Sequence, residues 1–389
     1  MKFRIGIIGV GGMGSTHLKN IINELGDIVQ ITALCDIDPD HMLSHKHLFK
    51  EGEVAFFEDS NDLIHSGLVD GVIVSTPHYD HPFISMEALR AGLRVFCEKP
   101  VGVFTKNIHE LNEIAKKSGK TFQVNFVMRS TDPFVKLKTL IEDGKIGTPR
   151  RLTWIITTWS RPQCYYDAGG WRATWAGEGG GTLLNQNPHQ LDLVQWLVGV
   201  PKRVRGFCYF GKRRDVEVED EATIYMEYKN GLTATYITNV SEFPGTNRLE
   251  IVGNKGKIVF ENNKITLMEL EITEEEHNAT AQNAWDPIPM KTFEYETVLD
   301  VNKGQIAMIR NWVNAAVNGE KLISQGFDGI NSLSISNAAY LSSWTDDWVE
   351  LPVDDDKFLE ELNKRIKTST FVKKNVTCKV IDATSTYVK

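Results

Sequence analysis

The sequence predicts an α/β protein of two domains: a doubly wound parallel sheet, then a domain containing a large, open, mainly antiparallel sheet. Three observations carry this. Short apolar strand patterns near 5–9, 30–35, 70–75, 94–97 and 121–125 alternate with helical segments through residues 3–125. Beyond a helix over 132–142 the rhythm changes to longer strands at Arg150–Trp159, Arg203–Tyr209, Ala222–Tyr228 and Thr233–Val240. The chain's 389 residues also exceed the size at which one hydrophobic core usually keeps growing.

The first strand runs into Gly9-Val10-Gly11-Gly12-Met13-Gly14, a GxGxxG element placed between a strand pattern and a helical one. Gly9 can take a tight turn, Gly11 removes the side chain that would block a pyrophosphate, and Gly14 lets the next helix close onto the sheet. The helix N–H groups then face the phosphates. With Gly12 and Met13 these residues form the expected cradle of a Rossmann domain. The second strand ends at Asp36-Ile37, about 20 residues beyond the last fingerprint glycine. A carboxylate there accepts both ribose hydroxyls and repels a 2′-phosphate, so NAD is the expected cofactor; Asp38 is the alternative acceptor.

The strand near 70–75 delivers Ser75, Thr76, Pro77 and His78 to the carboxyl edge of the sheet, where ligands of such sheets sit. The strand over 94–97 brings Glu98 and Lys99 to the same edge, both expected to contact the cofactor near the nicotinamide, with Pro100 offering a cis turn that aims the lysine. Asn125 closes the row, and Arg172 is expected to reach the cofactor from the second domain. Lys99 can hold a substrate hydroxyl and take part in proton transfer as the carbinol carbon gives up hydride.

In the second domain, Asn254-Lys255-Gly256 reads as a hairpin turn between Leu249–Val252 and Lys257–Phe260, and helices follow at about 304–318 and 328–345. The expected division is 1–127 for cofactor binding, 128–355 for substrate binding and oligomerisation, and 356–389 for a charged helix and an extended tail. The alternating segment Thr368–Lys389 is an arm onto a neighbouring subunit, a lone strand folded back on its own chain, or a frayed tail. The richest polar constellation runs from Gly177 to Asp192. Asn185 and His189 lie four apart, on one face if a helix includes both; Pro188 belongs near a first turn, which puts Asn185 just outside. His189 can exchange a hydroxyl proton near neutral pH. Asp192 is expected to be a structural anchor. Before this element lies a loop with Trp159, Arg161, Tyr165, Tyr166, Trp171, Arg172 and Trp175. Rings at Tyr165, Tyr166, Trp171 and Trp175 suit the C–H faces of a sugar.

A net charge of -8 and a pI near 5.8 argue against a nucleic-acid surface. The cysteines at 35, 97, 164, 208 and 378 lack CxxC or Cys/His ligand spacing and read as reduced thiols. His78-Tyr79-Asp80-His81 gives no convergent ligand set, so no metal is expected. No signal region and no membrane-length apolar stretch are read, which suggests a cytoplasmic protein.

With the fingerprint, Thr76-Pro77, Glu98-Lys99-Pro100, Trp171-Arg172 and Gly179–Trp196 together, residues 1–352 resemble the Gfo/Idh/MocA oxidoreductases. The resemblance implies a Rossmann domain, a C-terminal α/β domain on an open antiparallel sheet, and homodimers or homotetramers associated through those sheets. It implies catalytic roles for Lys99 and His189. A carboxylate commonly stands four positions before that histidine in the family, whereas this chain has Asn185, which can hydrogen-bond a hydroxyl but cannot hold a proton-accepting charge. Gly169–Trp175 joined to Asn185–His189 looks like relatives acting at sugar C3, including glycoside 3-dehydrogenases. The implied reaction is oxidation of a pyranose or glycoside hydroxyl to a keto-sugar. A myo- or scyllo-inositol dehydrogenase is the enzymatic alternative, and an NAD-binding regulatory protein without turnover the other.

Overall fold

A computed structural model describes residues 2–374. Six strands, β1 (Phe3–Ile8), β2 (Val29–Cys35), β3 (Ala55–Phe57), β4 (Gly71–Val74), β5 (Arg94–Cys97) and β6 (Phe122–Val124), pair in parallel in the order β3-β2-β1-β4-β5-β6. Strands covered on both faces are near-continuous apolar runs, and all four residues of β4 are buried. The strand order reverses between β1 and β4, which opens a crevice at their carboxyl ends. Edge strand β3 was not expected, because three half-buried residues, Ala55-Phe56-Phe57, carry no readable alternation.

The second sheet has nine strands: β7 (Pro149–Ile156), β8 (Arg203–Phe210), β9 (Glu219–Glu227), β10 (Thr233–Asn239), β11 (Asn247–Gly253), β12 (Gly256–Glu261), β13 (Lys264–Leu270), β14 (Met290–Glu296) and β15 (Val349–Glu350). Their order is β14-β13-β12-β11-β7-β10-β9-β8-β15, antiparallel throughout except for the central pair β7 and β10. Along β9 every second residue is buried, so one face meets helices and the other stays partly open. The helix Gly329–Thr345 lies on β8, where Gly206 allows the approach: a Cβ there would sit 2.7 Å from Ala339 Cα. The Gly206 N–H donates to Ser342 Oγ at 2.9 Å.

The helix Val301–Asn318 returns to the first sheet, with the fully buried Trp312 ring 5.5 Å from Phe3 and 5.7 Å from Phe96. Gln123 Nε2 donates to Met308 O at 3.0 Å on the same contact. Periodicity gave this helix an apolar stripe but could not say which sheet the stripe covers. The helix Asp355–Thr368 spans both units: Phe358 packs on Trp344 at 5.4 Å, and Thr105 Oγ1 donates to Asp355 at 2.5 Å.

After it, Lys374 pairs with Asp215 at 2.7 Å and Lys373 donates to the carbonyls of Tyr166 and Arg172, so the first residues of the tail lie on their own chain. The rest of the expected Thr368–Lys389 segment, with Cys378, lies outside the described residues. Among the described residues Cys35, Cys97 and Cys208 are buried free thiols, and no helix is long and apolar enough to cross a membrane.

Candidate active site

The crevice begins at the glycine fingerprint. Gly9 has φ +85°, and a Cβ there would lie 2.7 Å from the Ser75 carbonyl carbon; a Cβ at Gly14 would strike Gly9 O. These two glycines close the turn and the helix onto the sheet. At Gly11 and Gly12 an added Cβ meets nothing within 4 Å, so bare backbone faces open space at the N-terminus of the helix Gly12–Glu24. That is the surface a pyrophosphate needs. Asp36 stands beside it, one oxygen accepting from Val10 N at 2.7 Å and the other from Asp38 N at 3.0 Å. Ile37, next in the chain, is 91% exposed. Further along the edge, Thr76 Oγ1 and Asn125 Oδ1 are buried polar atoms without a protein partner. Exposed glycine backbone, a carboxylate beside it and unspent polar atoms on one sheet edge fit a dinucleotide.

Glu98 and Lys99 leave β5 ahead of a cis Lys99–Pro100 bond. Glu98 is buried and ties three elements together, accepting from His17 Nε2 at 2.6 Å and Asn125 Nδ2 at 2.7 Å. Burial pushes its carboxyl up, but His17, Asn125 and Lys99 together bring it down to about 2, so it is ionised. Lys99 Nζ donates to the Asn185 main-chain carbonyl at 2.6 Å, a bond between the two domains. Burial lowers its pKa to about 8; Glu98 and Glu178 oppose the shift, and Arg172 and Arg161 reinforce it. His189 is the second residue of the helix Pro188–Val198, with Asn185 just outside, as the proline implied. Burial and then the Lys99 charge push His189 down to about 3, leaving a neutral imidazole. Asp192 does not orient it: that carboxylate takes a two-pronged bond from Arg129 at 2.6 and 2.8 Å, the structural anchor expected.

The aromatic loop divides in two. The Arg172 guanidinium lies 4.3 Å over the Trp171 ring and 4.7 Å over Tyr165, and donates to the Tyr165 hydroxyl at 3.0 Å. Trp171 in turn meets His78 edge-on at 5.1 Å. Trp175 goes elsewhere: only 4% exposed, it packs against Phe210, Tyr340 and Trp344, so its ring is core and offers no sugar-facing surface. Tyr166 is also buried, edge-on to Tyr165 at 5.1 Å. Sequence gives ring identity but not which way a loop turns it. His78 Nδ1 contacts Glu178 O at 3.1 Å, and His81 bridges Pro100 O and Thr76 O, each at 2.7 Å. Among the described residues no three His, Cys, Asp or Glu side chains converge as a metal site.

Three participants escaped the sequence reading. His17 holds Glu98, Arg129 holds Asp192, and the buried Glu178 bonds the Asn185 amide. Glu178 precedes the glycine run, yet nothing in its local pattern distinguishes a buried carboxylate from a solvated one.

Bound at the crevice, NAD supplies a hydride acceptor. The chain's own residues supply a lysine whose pKa of about 8 lets it exist as ammonium or amine near neutrality, a neutral histidine, and an amide that can orient a hydroxyl.

Comparison with known proteins gives the same class. Residues 3–126 match the oxidoreductase family with an NAD-binding Rossmann fold, and 134–259 match the GFO/IDH/MocA C-terminal domain. The chain belongs to the Gfo/Idh/MocA oxidoreductase family, and NAD is its cofactor. It is 28% identical over 234 residues to an inositol 2-dehydrogenase/D-chiro-inositol 3-dehydrogenase of Lactiplantibacillus plantarum, a match spanning 59% of this chain and 63% of that relative's length. Among solved structures, the WlbA dehydrogenase of Chromobactrium violaceum with NADH and UDP-GlcNAcA is 25% identical, with a TM-score of 0.77 over 91% of this chain and 97% of that one. A levoglucosan dehydrogenase with NADH and levoglucosan, 20% identical with a TM-score of 0.76 over 90% of this chain and 100% of that one, shares the fold.

Proposed function

We propose that this protein oxidises a secondary hydroxyl of a pyranose or glycoside, at C3, to a keto-sugar while NAD is reduced. The observation that carries the reading is the Lys99 contact with Asn185 O at 2.6 Å, beside neutral His189 and on the same carboxyl edge of the sheet as the glycine fingerprint. In this reading Lys99 as the amine takes the hydroxyl proton, His189 hydrogen-bonds the same oxygen, and Asn185 orients the ring. Gly9, Gly11, Gly12, Met13 and Gly14 hold the pyrophosphate, Asp36 and Ile37 the adenosine, and Ser75, Thr76, Pro77, His78, Glu98, Asn125 and Arg172 the nicotinamide half. Tyr165 and Trp171, both within 5 Å of the Arg172 guanidinium, give the sugar a stacked aromatic wall.

Inositol oxidation is the second reading, favoured by the name of the Lactiplantibacillus relative. The same proposal includes a homodimer or homotetramer through the open sheet face, where Phe207 and Tyr209 are each 45% exposed, and a cytoplasmic location supported by the free thiols. Light scattering checks the assembly. The test of activity is a panel of methyl and aryl glucosides, free aldoses and inositols with NAD, with products identified by mass spectrometry and NMR. A 3-keto-sugar acceptor belongs in the assay, because a retained cofactor hides NADH release. Turnover of myo-inositol without glycoside activity, or C1 oxidation of free glucose, would overturn the glycoside reading.

A further inference from the structure

We propose that Glu178 is a positioning residue that decides which end of the Asn185 amide is presented to the substrate. The inference rests on the reading of Asn185 as a substrate-orienting group. Glu178 is 2% exposed, and both carboxylate oxygens are committed: Oε2 accepts the Ala173 main-chain N–H at 2.6 Å, and Oε1 accepts Asn185 Nδ2. The Ala173 N–H can only donate, so it fixes Oε2 as an acceptor. In an ionised carboxylate the second oxygen is an acceptor too, and Asn185 must therefore turn its NH2 toward Glu178. The two ends of a planar amide point apart, and Asn185 is only part-buried, which leaves Oδ1 as the end offered away from Glu178.

The difference is chemical. An amide oxygen accepts the O–H of a ring hydroxyl, as the carboxylate common at this position does, whereas an amide NH2 would seek that hydroxyl's lone pair. The charge missing at Asn185 is thus present one hydrogen bond further back. Burial lifts the Glu178 pKa, but Arg172 Nη1 at 3.9 Å, Asn185, Ala173 N–H and Lys373 favour the ionised form, and Glu178 in turn supports the ammonium of Lys99. Its main-chain oxygen is separately engaged by His78.

The geometry sets up a swap. In Glu178→Gln the fixed Ala173 N–H claims the new amide's oxygen, which leaves its NH2 facing Asn185 and forces that side chain to invert. In Asn185→Asp two carboxylates face each other and one must hold a proton well above the usual range. In the double variant Glu178→Gln/Asn185→Asp, the glutamine NH2 donates to the aspartate and every partner is restored, with the total charge unchanged.

The experiment measures kcat/KM against pH for the full chain and the three variants, with whichever polyol the unsubstituted enzyme oxidises, alongside NAD affinity by calorimetry and thermal unfolding. Glu178→Gln should lower kcat/KM about 10- to 100-fold with NAD affinity unchanged. Asn185→Asp should add an ionisation to the profile above the usual carboxylate range, and the double variant should remove it and recover about tenfold over the poorer single variant. If Glu178→Gln does not fold, the pH profile of Asn185→Asp still decides. Amide orientation is also read without turnover, by NMR of asparagine-labelled protein: the Asn185 NH2, identified by its loss in Asn185→Asp, should be protected from exchange and lose protection in Glu178→Gln. Strictly multiplicative losses in the double variant, an unshifted profile in Asn185→Asp, or an NH2 still protected in Glu178→Gln would each overturn the proposal. Failure of every glycoside would instead count against the substrate reading alone, since the NMR and inositol arms stand without it.

Discussion

Two glycine runs of the chain, Gly9–Gly14 and Gly179–Gly181, do opposite work. In Gly9–Gly14 the middle glycines face open space, with nothing within 4 Å of a Cβ at Gly11 or Gly12, so backbone is left bare for a ligand. In Gly179–Gly181 the missing side chains are filled by the protein itself. A Cβ at Gly179 would meet Val103 Cβ at 3.1 Å, one at Gly180 would meet Tyr340 Cζ at 3.0 Å, and one at Gly181 would meet the Glu219 carbonyl carbon at 3.0 Å. The second run is a packing device that seats Asn185 and His189. Buried Glu219 nails it down, its carboxylate accepting Gly181 N and Leu183 N at 2.7 Å each and the Tyr340 hydroxyl at 2.7 Å. Glycine in a sequence announces close approach; only the fold says what approaches.

The comparison can be broken hardest at Lys99, which donates to the Asn185 carbonyl just beyond the second run. Lys99→Met should cut turnover by about 10²- to 10⁴-fold while calorimetry finds NAD binding little changed, because the group lost moves a proton and holds no phosphate. A parallel fall in NAD affinity would reassign Lys99 to the cofactor cradle. Trp175→Ala addresses the second region's core, where truncation of so buried a ring should cost about 3–5 kcal/mol in chemical denaturation. Trp171→Ala should leave stability nearly untouched and raise KM for a glycoside. Equal stability losses for the two tryptophans would mean that Trp171 is core as well.

The two runs are separated directly by adding one methyl to each. Gly11→Ala should weaken NAD about 10- to 100-fold and leave the melting temperature alone, whereas Gly180→Ala should cost about 1–3 kcal/mol of stability with NAD affinity intact. The reverse outcome would undo the distinction. At a gentler scale, kcat/KM for hydroxyl oxidation should rise about tenfold per pH unit and level off above about 8. The sign follows from the proton: the ammonium of Lys99 cannot accept one, and the amine present above its pKa can. A flat profile between pH 6 and 9 would remove the lysine as base. Smallest of all, Asp36→Ala should narrow the preference for NAD over NADP about tenfold, read as the ratio of two calorimetric affinities. If the unsubstituted protein binds both equally, Asp36 has no selective role.

Much was legible before any coordinates. A parallel sheet buried on both faces is built from local apolar runs, so the strands β1, β2, β4, β5 and β6 could be read where they stand, and each places its last residue on one edge by chain geometry alone. That is why Lys99, Thr76 and Asn125 could be lined up beside the fingerprint. The second sheet was readable as alternation, but its order was not, since the parallel pairing of β7 with β10 joins segments more than seventy residues apart. The helix Val301–Asn318 shows the same limit: its apolar stripe was readable, but its contact with the first sheet was not.

What the sequence by itself determined is the class of fold and the cofactor, and it singled out the lysine and histidine proposed to act, because these readings depend on motifs in which a few neighbouring residues meet one local requirement. Tertiary structure decided what surrounds them. It set Trp171 half-buried against His78 and Trp175 into the core, set Lys99 on a carbonyl 86 positions away, and put a carboxylate against Asn185. Burial and long-range pairing are properties of the packed chain, and no local pattern of residues encodes which charge will lie behind which amide.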